Sequence, residues 1–372
     1  MPQEFEIADR KIGEGHPCFI VAEMSGNHKQ DIRRAYALID AAAEAGVDAV
    51  KFQTYTPDTL TIDVPRENPN IKYFLIGETN TWAGQTLYDL YKTAYTPWDW
   101  QPELKEYGEQ QGLLVFSTPF DATAVDFLGK MNVSLYKVAS FEAADVELLE
   151  YIGKTKKPVI LSRGLASIAE IQQAITVLRS NGTPQLAVLH CVSSYPALPE
   201  QMNLSHITDI RKRFGVIAGL SDHSLGVEAA QYSVGYLHAA IIEKHFTLKR
   251  ADGGPDATFS LEPHELIQLV QSIRNIEANG FHPTETDDQN FHIMKGEASY
   301  TPDKREHENI VFKRSLFVTA NIKAGEIFTR NNIRSIRPGN GLPPNRLQGI
   351  LGKRASQDII FATPLSEELI SP

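Results

Sequence analysis

Cysteine is nearly missing from this chain, with two among 372 residues, Cys18 and Cys191. Both lie in apolar, strand-like runs and read as reduced core thiols. Without a disulfide framework, the expected compartment is a reducing cytoplasm. No apolar run is long enough to cross a bilayer, so no membrane association is expected. The opening residues Met1-Pro2-Gln3-Glu4-Phe5-Glu6 lack the basic start and apolar stretch of a signal peptide. Positive charge is scarce: 36 Lys and Arg stand against 46 Asp and Glu, and the net charge of -10 argues against a nucleic acid partner. It does not exclude an anionic substrate, because a few local lysines can dominate one pocket. Internal repeats and low-complexity tracts are absent too. What is left is an ordinary globular composition, 42% hydrophobic and 22% charged, long enough for a large domain and a small one.

Within it, eight short β-branched runs recur, at 18–22, 49–53, 113–117, 135–139, 159–162, 186–190, 216–220 and 239–243. Amphipathic segments such as 32–45, 122–131 and 168–181 separate them, and Asp121 and Ser167 are placed to cap two of these. A last helix is expected from Glu262-Pro263-His264-Glu265 to about residue 279. Eight strand–helix units predict an α/β fold, a closed (β/α)₈ TIM barrel over residues 1–280. One spacing is too long: 56–100, rich in Asn, Thr, Tyr and Trp, is expected to form a lid or substrate wall after the second strand. Residues 281–312 are polar and without period and read as a linker, and 313–372 as a small domain with a strand at Leu316-Phe317-Val318.

In such a barrel the C-terminal ends of the strands face one pocket. His223 and His245 each follow a short apolar run, where two imidazoles on neighbouring strands can share one divalent ion. Either histidine alone is more often a hydrogen-bonded loop residue. Lys51 and Lys137 interrupt otherwise apolar strands, and a barrel strand offers them no exposed face. Beside the hydroxyls of Ser140, Ser162 and Ser221 they would make a pocket for a phosphate and a carboxylate. A Schiff base with a carbonyl substrate is the other use of such a lysine.

Six motifs in order carry a family resemblance. Ala22-Glu23-Met24-Ser25-Gly26-Asn27-His28, Lys51-Phe52-Gln53-Thr54, Phe116-Ser117-Thr118-Pro119-Phe120, Tyr136-Lys137-Val138-Ala139-Ser140, Gly219-Leu220-Ser221-Asp222-His223 and Glu243-Lys244-His245-Phe246-Thr247 resemble the sialic acid synthases. Ile336-Arg337-Pro338-Gly339-Asn340-Gly341 is similar to a motif of the antifreeze-like (SAF) domain that ends these enzymes. Within the family, the segments 82–91 and 95–100 look most like the pseudaminic acid synthase branch.

The resemblance implies a cytoplasmic transferase that joins phosphoenolpyruvate to an N-acylated amino sugar, 2,4-diacetamido-2,4,6-trideoxy-altrose for that branch. It implies phosphoenolpyruvate on Lys51, Lys137, Ser140, Ser162 and Ser221, with Ser193 and Tyr195 in the loop beside it. Mn²⁺, or Mg²⁺ or Co²⁺ in its place, would sit on His223 and His245. Glu23, Glu243 and Asp256 would face sugar and water, with Glu23 as the carboxylate assisting water. Arg337 would reach the sugar's acyl group from the partner in a domain-swapped homodimer. Two positions depart from the family: Ser193 stands where asparagine is usual, and Arg163 replaces a threonine, with altered phosphate contacts expected. An N-acetylneuraminate or legionaminate synthase would use the same chemistry. A metal-dependent aldolase and a non-catalytic glycan-binding protein are the readings from further afield.

Overall fold

The structure, a computed structural model, describes residues 4–78, 82–302 and 304–371. The Met1-Pro2-Gln3 stretch weighed above for a signal peptide lies outside them. Eight parallel strands close into a barrel: Phe19–Glu23 (β3), Ala49–Thr54 (β4), Leu114–Pro119 (β5), Tyr136–Val138 (β6), Val159–Ser162 (β7), Leu186–Cys191 (β8), Ile217–Asp222 (β9) and Ile241–His245 (β10). All eight expected strands are present, most of them reaching one or two residues further toward the C-terminal rim. Ahead of them comes a hairpin of Glu4–Ile7 (β1) and Arg10–Gly13 (β2) that the sequence pattern did not announce. Its Ile7 and Ile12 are buried against Phe19, Val21, Ala49, Phe116 and Ile160, closing the bottom of the barrel.

Period-two alternation sorts the side chains. Residues such as Ile20, Val50, Val138, Leu161, Val188 and Leu220 point outward and pack under the surrounding helices. The opposite set points inward, and the inward set changes character along each strand. Val21 is followed by Glu23, Ala49 by Lys51, Phe116 by Thr118, Leu135 by Lys137, Ile160 by Ser162, Leu189 by Cys191 and Ile241 by Glu243. The lower half of the interior is therefore an apolar plug and the upper half a polar layer. Among the described residues no helix is long and apolar enough to cross a membrane.

The 56–100 insertion carries short helices at Pro57–Leu60, Ile71–Phe74 and Leu87–Ala94, of which Thr56 and Thr86 cap the first and last. Residues 79–81 of it lie outside the description. The 281–312 stretch, read from the sequence as a polar linker without period, is partly helical. Thr284 and Asp287 form a capping box that starts a helix at Glu285–Lys295, whose Phe291 stacks on Tyr236 at 3.9 Å. A 3₁₀ turn at Asn309–Phe312 follows. The cap pair was visible in the sequence, but the acidic composition around it masked the helix.

The terminal domain pairs Ser315–Val318 (β11) with Ile333–Ile336 (β12) antiparallel, and gathers its own core from Leu316, Val318, Ile322, Phe328 and Ile333. Phe317 and Ile336 lie on the other face, against Ile62, Val64 and Phe74 of the insertion. The domain thus rests on the barrel of its own chain. Arg314 and Arg337 both reach the carboxylate of Glu142 beyond β6.

Replacing Ile12 by alanine leaves a cavity in the barrel plug and should cost about 2–5 kcal/mol of stability. A lower thermal midpoint with turnover intact in the cold would show that the hairpin supports the barrel and not the pocket; an unchanged midpoint would contradict the plug.

Candidate active site

The polar layer forms the floor of a cavity at the C-terminal rim. Lys51 Nζ lies 2.5 Å from Glu23 Oε2 and 3.5 Å from Glu243 Oε1, and donates to Thr118 Oγ1 at 3.2 Å. Lys137 Nζ donates to Ser162 Oγ at 2.7 Å and lies 3.7 Å from Glu243 Oε2. Ser221 completes this side, donating to Glu243 at 3.2 Å. Burial works against all four charges and pulls Lys137 down. For Lys51 burial is outweighed by Glu23 and Glu243, which hold it up. For Glu243 burial is outweighed by Lys137 and Lys51, which hold it down. Glu23 is pushed up by burial despite Lys51. Two cations and two anions thus neutralise one another in a place none could occupy alone.

At the edge of the floor the rings of His223 and His245 stand 5.4 Å apart. His223 donates Nδ1–H to the Val192 carbonyl at 2.9 Å, which leaves Nε2 as a lone-pair donor. His245 Nδ1 is buried without a hydrogen bond and sits 3.5 Å from Asp256 Oδ2. Burial keeps both imidazoles neutral, as metal ligands must be. Asp256, held by the Ser25 hydroxyl, is pushed up to about 6 by burial. A divalent ion suits this donor set: two neutral rings, one with an orphaned nitrogen. Among the described residues no group of three or more His, Cys, Asp or Glu is gathered to hold an ion. The remaining positions would fall to substrate and water, the open arrangement of a catalytic centre.

The roof is apolar apart from one guanidinium. The insertion supplies Trp82, Leu90 and Tyr91, the loops after β5 and β6 supply Phe120 and Phe141, and the connecting segment supplies Phe312. Arg337 lies 5.4 Å over both Phe120 and Phe141 and 5.7 Å over Tyr91. It donates to Glu142 Oε1 at 2.7 Å and to the Tyr91 hydroxyl at 3.2 Å. Floor and roof face one another across a single cavity that both line.

All of the candidate site residues proposed from the sequence except Glu23 and Ser193 line this cavity. Glu23 is fully buried beneath Lys51 and Gln53, so it fixes their positions and does not itself face the space where water would react. Ser193 also stands behind the surface, held through its backbone by Glu306 and Asn309. Arg163 turns away from the cavity. Its guanidinium faces His190 at 3.3 Å and lies over Tyr300 at 4.9 Å, so it is not among the groups that line the cavity. Arg337 of this chain's own terminal domain reaches the cavity. Cys191, read as a core thiol, lines the cavity, because it shares the inward face with Leu189. Phe141 and Phe312 were missed. The alternation rule could have found Cys191, but nothing in the sequence marks Phe312.

The NeuB family model matches residues 38–281, and the SAF domain model residues 313–370. The pseudaminic acid synthase of Campylobacter jejuni subsp. jejuni serotype O:23/36 is 39% identical over 94% of this chain and 95% of its own length. The pseudaminic acid synthase of Helicobacter pylori is 38% identical over 95% of this chain and 97% of its own. Among solved structures, a spore coat polysaccharide biosynthesis protein of Bacillus subtilis superposes with a TM-score of 0.83 at 33% identity, covering 100% of this chain and 99% of that one.

Gly164, after β7, has φ +40°, and a Cβ there would lie 2.4 Å from Ser140 Cβ and 2.8 Å from Ser193 Oγ. Gly164→Ala should displace Ser140 and weaken the binding of a small anion such as inorganic phosphate roughly tenfold, the worth of one charge-assisted hydrogen bond. Calorimetric titration checks this; unchanged affinity would remove Gly164 from the anion pocket.

Proposed function

The chain belongs to the NeuB family, and we propose that it condenses phosphoenolpyruvate with 2,4-diacetamido-2,4,6-trideoxy-altrose and water, releasing phosphate and a nine-carbon nonulosonic acid. The observation that carries this reading is the juxtaposition of three features in one cavity. They are a two-lysine floor with hydroxyls for an anion, a histidine pair at its edge, and a buried arginine in the roof.

Phosphoenolpyruvate lies on Lys51 and Lys137, with Ser140, Ser162 and Ser221 as further donors to its phosphate and carboxylate. His223 and His245 would hold a divalent ion, Mn²⁺ in our reading, and such an ion would supply Lewis-acid polarisation of the sugar's open-chain aldehyde. Arg337, its charge secured by Glu142, donates to the acylamino oxygen and fixes the aldehyde against carbon three of phosphoenolpyruvate. The new C–C bond forms there, and the aldehyde oxygen takes up a proton. Carbon two is left as an oxocarbenium centre, to which water adds. Asp256 faces the cavity beside His245 and takes the proton that water gives up, the role expected of Glu23 from the sequence. The hemiketal phosphate then breaks its C–O bond, and Lys51 and Lys137 stabilise the departing phosphate. Two copies that exchanged their terminal domains would present Arg337 through the same contacts, which is how a homodimer fits this reading.

Phosphate release should occur with the diacetamido-trideoxy-altrose and fall to background in His223→Ala or after chelation, with restoration by Mn²⁺ in the wild type. Release with N-acetylmannosamine or the diacetamido-trideoxy-mannose alone would overturn the sugar, and full activity in metal-free buffer would overturn the metal. Arg337→Ala should raise the sugar KM roughly 10- to 100-fold, the range for a lost hydrogen bond to a charged group, while the KM for phosphoenolpyruvate holds. Equal kinetics with both substrates would take Arg337 out of the site.

A further inference from the structure

Phe312 belongs to neither matched stretch: it follows residue 281 and precedes residue 313. It is nevertheless 3% exposed and lines the cavity. Its ring stands 5.3 Å from Trp82 and 5.8 Å from Phe141, both edge-on or tilted, and Trp82 stands 5.7 Å from Tyr195. The turn that delivers it is tied down on the barrel side. Asn309 Nδ2 donates to the Ser193 carbonyl at 2.6 Å, and the Ser193 amide donates to Glu306 at 3.0 Å.

The one N–H that the three rings of this wall carry is already engaged: the Trp82 indole donates to the Pro255 carbonyl at 2.5 Å. Phe141 and Phe312 have none to offer. A methyl group placed against these rings is buried favourably, whereas a hydroxyl there gives up its water and gains no partner.

We infer that Phe312 is a specificity-determining residue: with Trp82 and Phe141 it forms a wall that selects a sugar ending in a methyl group over one ending in a hydroxymethyl group. The inference rests on the sugar-condensing reading above and adds to it the part of the molecule that makes the choice. An apolar wall rejects an added hydroxyl only modestly, so the preference should be on the order of 10- to 100-fold in kcat/KM. Because Phe312 sits in the connecting segment, one of the three rings of the wall lies outside both matched stretches.

The test is kcat/KM for a 6-deoxy acylamino sugar against its 6-hydroxy counterpart, in the wild type, Phe312→Ser, Phe312→Leu and Phe312→Tyr, with the KM for phosphoenolpyruvate as the control for an intact floor. Phe312→Ser should bring the ratio close to unity, and Phe312→Leu should keep the wild-type preference. Phe312→Tyr retains the ring and adds a hydroxyl, so it should shift the ratio toward the hydroxylated sugar even where the serine variant does not fold. A ratio unchanged in Phe312→Tyr, or a wild type that favours the hydroxylated sugar, would overturn the inference. Turnover of the diacetamido-trideoxy-mannose in place of the altrose overturns the stereochemistry proposed above and leaves this inference standing, since both are 6-deoxy. No turnover of any sugar defeats the condensation itself, and this inference with it.

Discussion

Two ammonium groups and two carboxylates inside a barrel set the terms for the rest of the molecule. Lys51, Lys137, Glu23 and Glu243 are all at least 95% out of solvent, so none can be kept charged except by the others. Breaking such a set by removing one member costs about 3–5 kcal/mol, because it strands a charge in a poor dielectric. The set also explains why the bottom of the barrel is so thoroughly apolar. The hairpin isoleucines and the lower ring of Phe19, Val21, Phe116 and Ile160 keep water from reaching the charges from below. Taken together the four are neutral, so an anionic substrate arrives as excess negative charge. A neutral imidazole pair at the edge is the place where a divalent cation would offset it.

How much of this was readable from the residues depends on whether a local rule applied. The strands were legible because β-branched runs closed by polar loops have one meaning in an eight-fold repeat. The floor was legible for the same reason: a lysine in an apolar strand has to point somewhere, and in a barrel the place is the interior. Glu23 shows the limit. Its position on the inward face was correct, but whether it met the cavity or lay beneath Lys51 depended on side-chain layering that the pattern does not encode. Arg163 fails differently. It follows β7 directly beside Ser162, yet the chain turns there at Gly164, and the guanidinium leaves toward His190 and Tyr300. The roof was the least legible part. Phe312 and Arg337 come within reach of Phe141 only because the terminal domain folds back, and no periodicity predicts a docking between segments 195 residues apart.

The floor and the roof are built by different means. Every floor side chain stands on a barrel strand or just past its end, where strand pairing on both sides holds it. The roof is assembled from an insertion, a connecting segment and a second domain, meeting through aromatic edges and the carboxylate of Glu142. On the function proposed above, bond formation would fall to the rigid part, and the choice of sugar to the part whose sequence can vary without disturbing a strand.

Glu142 accepts from Arg314 and from Arg337 at once, and its second oxygen has no hydrogen bond of its own. That carboxylate thus joins two bodies with separate hydrophobic cores, beside the apolar face of Phe317 and Ile336 on Ile62, Val64 and Phe74 and the Arg330–Glu147 pair. The roof of the cavity holds its shape only while this mixed interface holds, whereas each core can stay folded by itself. On heating, opening of the interface and melting of the barrel would then be distinct events, and the cavity would be lost at the first of them.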